Sequence, residues 1–219
     1  MAFLSINIYI IALCFLVSLS VFFTQKTSFS YLKLFPPFLL LTLISESFGS
    51  YLGTKGIPNV LLYNLFSTFE FCFYLLIISL IIYDKKWKWF IRISIAIYTL
   101  VALANILFIQ KSNTFHTMTY AIGCLLIVFF CIYYFFELFR VPQSEKLLKN
   151  PAFWICSGLL FFYCCGFPLY GLINSWSNIS KIVLNNFDTI VSILNFFLYS
   201  LFMIALLCFR TRKYTLSQS

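Results

Sequence analysis

The chain has 219 residues, of which 62% are hydrophobic and 10% are charged. Soluble globular domains carry about 25% charged residues, so this composition excludes an ordinary soluble domain and indicates a polytopic membrane protein. The formal net charge of +9 does not indicate nucleic-acid binding. The basic residues lie beside the ends of apolar segments, where membrane topology and anionic lipid headgroups account for them.

Seven apolar segments are long enough to cross a bilayer, which takes about 20 residues of helix. The spans are predicted at 3–23, 33–53, 58–83, 89–109, 117–139, 152–175 and 184–209, followed by a short basic tail at 210–219. The predicted fold class is therefore all-α, a single domain formed by a bundle of seven transmembrane helices. The first span is not a typical signal peptide, because it lacks a basic n-region and a small-residue cleavage pattern.

Basic residues are distributed unequally between the connections. Twelve of the 15 Lys and Arg residues lie in every second connection and in the tail, whereas the other connections contain only Lys55, Lys111 and Lys181. Because positively charged residues stay in the cytoplasm, we expect the N-terminus outside and the C-terminus inside. Some of the cytoplasmic basic residues are candidates for contacts with lipid headgroups or with a protein partner. They are Lys85, Lys86, Lys88, Arg92, Arg210, Arg212 and Lys213.

The second and third spans each contain a glutamate. Glu70 lies roughly 18 Å below the outer end of its span, near the bilayer midplane, and Glu46 lies less deep in the second span. A carboxyl near the midplane is costly unless it is protonated or paired, and no Lys or Arg lies at a matching depth. In the second span, Ser45, Gly49 and Gly53 also form a line of small residues that favours close helix packing.

Polar residues recur at helical spacing on two spans. Tyr63, Ser67, Glu70 and Tyr74 follow one another at +4, +3 and +4, and so do Asp188, Ser192, Asn195 and Tyr199. Such stripes should face the interior of the bundle, because lipid-facing positions are apolar. They predict a polar cavity open toward the outer half of the membrane. The alternative is a set of hydrogen bonds that only hold the helices together. The candidate cavity residues are Glu46, Asn64, Ser67, Glu70, Tyr74, Tyr98, Asn105, Asp188, Ser192, Asn195 and Tyr199.

The matching stripes also suggest an internal repeat. Spans one to three and five to seven would then be parallel triplets joined by span four. This layout resembles small sugar and vitamin carriers with paired three-helix bundles. Coincidence is the competing interpretation, because Ser, Tyr and apolar residues are abundant in this chain.

The remaining polar and reactive residues favour structural roles. His116 is the only histidine and is predicted to be solvated or interfacial in an outer loop. Glu137 is expected near the inner surface, where it snorkels or pairs with Arg140. All 8 cysteines lie inside predicted spans without a Cys-x-x-Cys pair, so neither disulfides nor zinc are expected. Gly166 and Pro168 interrupt the sixth span and predict a kink.

Several membrane chemistries lack their motifs. The last span contains no lysine for a retinal Schiff base, and the chain contains neither His-Glu-x-x-His nor Gly-x-Ser-x-Gly. No cofactor and no metal are expected.

Three stretches resemble a group of small, largely uncharacterised seven-helix membrane proteins of Bacteroidetes. The stretches are Phe69-Glu70-Phe71, Lys85-Lys86-Trp87-Lys88 and the run Asn150-Pro151-x-Phe153-Trp154-x-x-Ser157-Gly158. Some members of that group look like the membrane sensor halves of histidine kinases. This chain is not expected to carry a kinase, since about ten residues follow its last span. The resemblance implies the topology more than any activity.

We therefore predict a non-enzymatic sensor or accessory protein of a bacterial cytoplasmic membrane, which acts through partners in signalling or in defence. No nucleic acid is expected among its partners. The alternative is a small-solute or proton-coupled carrier that uses a polar cavity around Glu70. A second alternative is a lipid-processing membrane enzyme.

Overall fold

The computed structural model describes residues 2–24, 30–110, 114–140, 147–171 and 185–216, and in this part of the chain it contains seven long helices and no strand. Each helix is long and apolar enough to cross a membrane, which confirms the predicted all-α membrane bundle. The helices are α1 (Ala2–Thr24), α2 (Phe35–Thr54), α3 (Val60–Ile81), α4 (Lys85–Ala104), α5 (Thr117–Arg140), α6 (Pro151–Gly171) and α7 (Phe187–Leu216). Short 3₁₀ turns at Ser30–Leu34 and Leu147–Lys149 precede α2 and α6, and a π turn at Asn105–Ile109 extends α4.

Local sequence signals explain where the helices begin. The Asp84 side chain accepts a hydrogen bond from the Lys86 backbone N–H at 2.8 Å, so α4 begins at Lys85 instead of at 89 as predicted. Asn150 Oδ1 likewise accepts from the Ala152 N–H at 3.0 Å, and Pro151 occupies the first helical position, where it needs no hydrogen-bond partner. The Asn-Pro-x-Phe-Trp run is therefore the start of α6.

The last helix continues further than its apolar segment predicts. The last helix extends to Leu216, so the segment predicted as a tail begins as helix, and the side chains of Arg210, Arg212 and Lys213 lie outside the described part of the structure. α6 is one helix from Pro151 to Gly171 with Pro168 inside it, and residues 172–175 of its predicted span lie outside the described residues. Lys26, Lys111, Lys146 and Lys181 also lie outside the described residues.

The helices form a closed ring with one helix outside it. Neighbours in the ring are α1, α2, α3, α5, α6 and α7, and α7 packs back on α1, while α4 packs on the outer side of α3 and α5. α3 is the most buried element, with 61% of its span buried against 22% for α1. The polar stripe on α3 therefore lies where a bundle can surround it.

Large aromatic side chains fill the middle of the ring. Phe38 of α2 and Phe73 of α3 stack with ring centroids 3.8 Å apart, and Tyr74 packs against Tyr163 and Phe202, each at 5.9 Å. Both Tyr74 and Phe202 are fully buried. We call these five side chains the aromatic layer.

Small residues allow two close contacts on α3. The ring of Phe71 lies against Gly123 of α5, where a Cβ atom would come within 2.8 Å of three ring atoms. Tyr63 similarly packs on Gly49 of α2, as the predicted line of small residues requires. A Cβ at Gly53, by contrast, would meet only Asn59 Nδ2 at 3.8 Å.

Glu137 has a different role from the predicted one. Its carboxylate accepts hydrogen bonds from the backbone N–H groups of Tyr83 at 2.9 Å and Asp84 at 2.8 Å, and Arg140 instead lies over the ring of Phe136 at 4.8 Å. Of the two predicted alternatives, the pairing with Arg140 is wrong, because the turn before α4 presents two N–H groups that have no helical acceptor. Glu137 thus ties α5 to the α3–α4 turn.

Four basic residues lie on the first turns of α4. Lys85, Lys86 and Arg92 are exposed, and Lys88 is half-buried. We call this the basic end of the bundle.

Candidate functional site

A cavity of ≈ 390 Å³ lies between the helices at the end of the bundle opposite the basic end. The N-terminal parts of α1, α3 and α7, the C-terminal parts of α2 and α6, and the start of α5 surround it. Its polar lining residues are Asn7, Thr42, Glu46, Asn59, Ser67, Glu70, Asp188, Ser192 and Asn195. Its aromatic lining residues are Tyr63, Phe66, Phe115, Tyr120, Phe162, Tyr170, Phe187 and Tyr199.

The two polar stripes meet across this cavity. Tyr63, Ser67 and Glu70 reach it from α3, and all four residues of the α7 stripe reach it from the other side. Helical spacing places each set on one face, and the ring brings the two faces together. Glu46 joins them from α2.

Glu70 lies between the cavity and the aromatic layer. It lines the cavity, and the hydroxyl of Tyr74 donates a hydrogen bond to Glu70 Oε1 at 3.1 Å from one turn deeper on the same helix. Tyr74 itself is fully buried in the aromatic layer and is not a lining residue. Glu70 thus joins the polar cavity to the apolar centre of the bundle.

Two asparagines that the sequence patterns did not single out complete the lining. Asn7 Nδ2 donates to Ser192 Oγ at 3.2 Å and links α1 to α7, while Asn7 Oδ1 is buried without a hydrogen-bond partner in the described part of the chain. Asn59 Nδ2 donates to the Gly49 carbonyl at 2.9 Å. Asn7 is the only residue with an amide side chain in its span, and an amide in an otherwise largely apolar helix was the available signal.

His116 is buried, which contradicts the prediction of a solvated side chain. Its exposed fraction is 0%, and its ring nitrogens lie 2.7 Å from Ser67 Oγ and 2.8 Å from Thr119 Oγ1. Its backbone N–H donates to Asn64 Oδ1 at 3.2 Å, and Asn64 Nδ2 in turn donates to the Thr114 carbonyl at 2.9 Å. Asn64 thereby holds residues 114–116 against α3. Burial disfavours the imidazolium and lowers the pKa of His116 to about 4.

Asn64, Tyr98 and Asn105 do not line the cavity, although they were predicted together with it. Asn105 Nδ2 donates to Gln110 Oε1 at 2.8 Å and to Thr119 Oγ1 at 3.2 Å, so Asn105 belongs to the surroundings of His116. Tyr98 packs edge-on against Phe71 at 5.7 Å. Helical spacing identifies the polar face of α4 but not the helix that this face meets.

The geometry limits the chemistry available to these residues. In the described ranges, no group of three or more His, Cys, Asp or Glu side chains is arranged to hold a metal ion. The Ser67–His116 contact resembles a nucleophile and its base. However, Ser67 Oγ also lies 2.7 Å from the Tyr63 carbonyl, and Thr119 occupies the position where a carboxylate would orient the imidazole. With a pKa of about 4, His116 is a weak base at neutral pH.

The fold and the site define a seven-helix membrane bundle with an internal polar cavity near one end. No protein-family model matches the chain, and no curated protein or solved structure matches it either. The cavity is accordingly the feature from which a function can be inferred.

Proposed function

We propose that this protein is a membrane sensor that binds a small solute in the cavity and acts through a partner protein. The observation that carries the proposal is the cavity of ≈ 390 Å³, which contains Glu46 and Glu70. Pockets for small molecules span about 300–1,000 Å³ and combine apolar walls with a few polar groups. The lining, with its glutamates, asparagines and aromatic rings, has that composition.

Two polar groups of the cavity have no described hydrogen-bond acceptor contact within the protein, so they are available to bind a solute. Hydrogen bonds that only hold helices together would leave few buried polar atoms without a partner. Within the described residues, however, Asn7 Oδ1 is buried without a partner, and the carboxylate of Glu46 accepts no hydrogen bond from another side chain or from the backbone. These groups require water or a solute.

The route from the cavity toward the basic end is closed. Phe38 and Phe73 stack at 3.8 Å, and Tyr74 is fully buried directly beyond Glu70. A sensor needs access from one side only. α7 offers a path from the bound solute to the partner protein. This one helix carries the cavity residues from Asp188 to Tyr199 and continues to Leu216 at the other end of the bundle.

A carrier is the second candidate, and one observation favours it. Glu70 contacts both the cavity and, through Tyr74, the aromatic layer. A carboxyl at such a boundary is typical of proton-coupled carriers. In a carrier, rearrangement of the aromatic layer would open the cavity to the second side.

Binding and uptake measurements separate these proposals. Purified protein in lipid nanodiscs is screened by isothermal titration calorimetry against solutes of different charge and size, and the same protein in liposomes is tested for uptake. We expect saturable binding, no accumulation inside liposomes, and a loss of affinity of about tenfold or more in Glu70→Gln. Accumulation that Glu70→Gln abolishes would instead establish the carrier, and a protein that binds no solute contradicts both proposals.

The matched control is Asp84→Asn. Like Glu70→Gln, it converts a carboxylate to an amide, but Asp84 lies at the basic end and serves as the helix cap of α4. Asn caps helices about as well as Asp. Binding in this variant is expected to equal that of the wild type.

A further inference from the structure

The charged side chains among the described lining residues of the cavity are all acidic. Three carboxylic side chains line it, from Glu46, Glu70 and Asp188, and no Lys, Arg or His is among its described lining residues. His116 lies behind Ser67 and is uncharged at neutral pH. The ammonium group of Lys55 lies over the ring of Tyr51, 5.9 Å from its centre, and Tyr51 does not line the cavity. Within the described residues, therefore, no cation lies against these carboxylates.

One wall of the cavity is a cluster of four aromatic rings. Tyr120 and Tyr170 are 4.8 Å apart, Phe115 lies 5.3 Å from Tyr120, and Phe187 lies 5.6 Å from Tyr170. All four side chains line the cavity, and we call them the aromatic wall. The faces of aromatic rings carry partial negative charge and attract cations, best those with a weakly hydrated surface such as substituted ammonium groups.

We propose that the solute of this cavity is an organic cation, with its ammonium group between Glu46 and Glu70 and its apolar part against the aromatic wall. The proposal rests on the proposed function and names the chemical class of its ligand. An ammonium group compensates carboxylates that have no cationic partner among the described residues. The side-chain oxygen of Asn7, Oδ1, accepts a hydrogen bond from this ammonium group when the ligand is not a quaternary ammonium. An inorganic cation is too small for ≈ 390 Å³, and an anion is repelled by the three carboxylates.

Pairs of probes that differ in charge but little in shape test this proposal. Choline is compared with 3,3-dimethyl-1-butanol, its neutral isostere, and phenethylamine with 3-phenylpropionate, its anionic counterpart. Binding is measured by isothermal titration calorimetry on the full chain in nanodiscs of zwitterionic lipid. We expect a cation to bind with at least about tenfold higher affinity than its counterpart, and its affinity to fall about tenfold in Glu46→Gln and in Glu70→Gln.

Additional variants keep the test independent of folding defects. Asp188 lies at the exposed mouth of the cavity, so Asp188→Asn should weaken cation binding by only about twofold to threefold, because water screens an exposed charge. Asp84→Asn should leave it unchanged. Each variant is first required to elute as the wild type on size-exclusion chromatography. If one glutamate variant fails this criterion, the other and Asp188→Asn decide the outcome.

The results that would overturn the cation proposal are distinct from those that would overturn solute binding. Three results contradict the cation proposal: equal affinity for choline and 3,3-dimethyl-1-butanol, tighter binding of 3-phenylpropionate than of phenethylamine, or no binding of either cation at about 10 mM. If a neutral or anionic solute binds in the broader screen, the sensor proposal survives. If no solute of any charge binds, both proposals fall.

Discussion

The imidazole of His116 is fully buried although it can ionise. Its neighbours Ser67, Thr119 and Asn64 are all uncharged, so none of these described contacts compensates the charge of a protonated ring. The pKa of about 4 lies below the ordinary value of 6.5. As the pH falls from 6.5 toward 4, the histidine of the unfolded chain becomes protonated while that of the folded chain stays neutral. The folded state therefore loses stability.

This linkage predicts a pH-dependent stability that one substitution removes. Between about pH 7 and pH 5, the contribution of His116 should reduce the free energy of unfolding by roughly 2 kcal/mol. His116→Gln should abolish most of this slope, because the chain contains no other histidine. Thermal unfolding in detergent across this pH range measures the difference. Parallel slopes for the wild type and the variant would contradict it.

The residues of the cavity differ in how far sequence could identify them. Glu70 and Asn195 were predictable, because a regular +4, +3, +4 spacing places a polar stripe on one helical face. His116 was not, because its burial depends on residues 114–116 folding back onto Asn64, a contact 52 positions away along the chain. Loop conformation leaves no periodic signal in the sequence.

At the level of elements, the contact between α3 and α5 depends on a glycine, Gly123, which has no side chain. Phe71 is fully buried, and its ring occupies the space beside Gly123. We expect Gly123→Ala to destabilise the protein by about 1–3 kcal/mol, because the new methyl group forces the ring or the helix to move. Thermal unfolding in detergent measures this loss. A smaller side chain in Phe71→Leu should restore part of the stability when combined with Gly123→Ala.

The control for this prediction is Gly166→Ala on α6. Gly166 is also a buried helical glycine, but a Cβ there would meet Tyr170 Cδ2 at 3.8 Å, an ordinary contact. Its substitution should be neutral or slightly stabilising, since alanine favours helix more than glycine does by about 1 kcal/mol. Equal losses at Gly123 and Gly166 would show that the contact with Phe71 is not the cause.

The existence of each helix followed from hydropathy, whereas the ends and partners of the helices did not. Lys85 and Lys86 are predicted as loop residues because they are charged. In the structure, Asp84 caps the helix and they are the first two residues of α4. Tyr98 and Asn105 share a face of α4, but that face meets Phe71 and Thr119 instead of the cavity. Hydropathy measures the tendency of a segment to enter a membrane. The closure of the helices into a ring is decided instead by contacts between helices that are far apart in the chain.

For the whole molecule, the separation of charge gives the two ends different surroundings. The basic end exposes Lys85, Lys86 and Arg92, and the opposite end carries the cavity. If the rule that positive residues remain in the cytoplasm holds for this chain, the cavity opens to the outside and α7 ends in the cytoplasm. An external solute and an internal partner would then act on the two ends of one helix.

Reporter fusions test this orientation in bacterial cells. Green fluorescent protein fused after residue 219 should fluoresce, and alkaline phosphatase at the same position should be inactive, because both outcomes require a cytoplasmic C-terminus. Phosphatase fused within 111–113, in the connection between α4 and α5, is the control and should be active, since α5 begins at the cavity end of the bundle. Replacing Lys85, Lys86 and Lys88 by Gln should raise the active fraction of the C-terminal phosphatase fusion, because it removes part of the charge that holds this end inside. The reverse pattern of activities would place the cavity on the cytoplasmic side, and its solute would then have to come from within the cell.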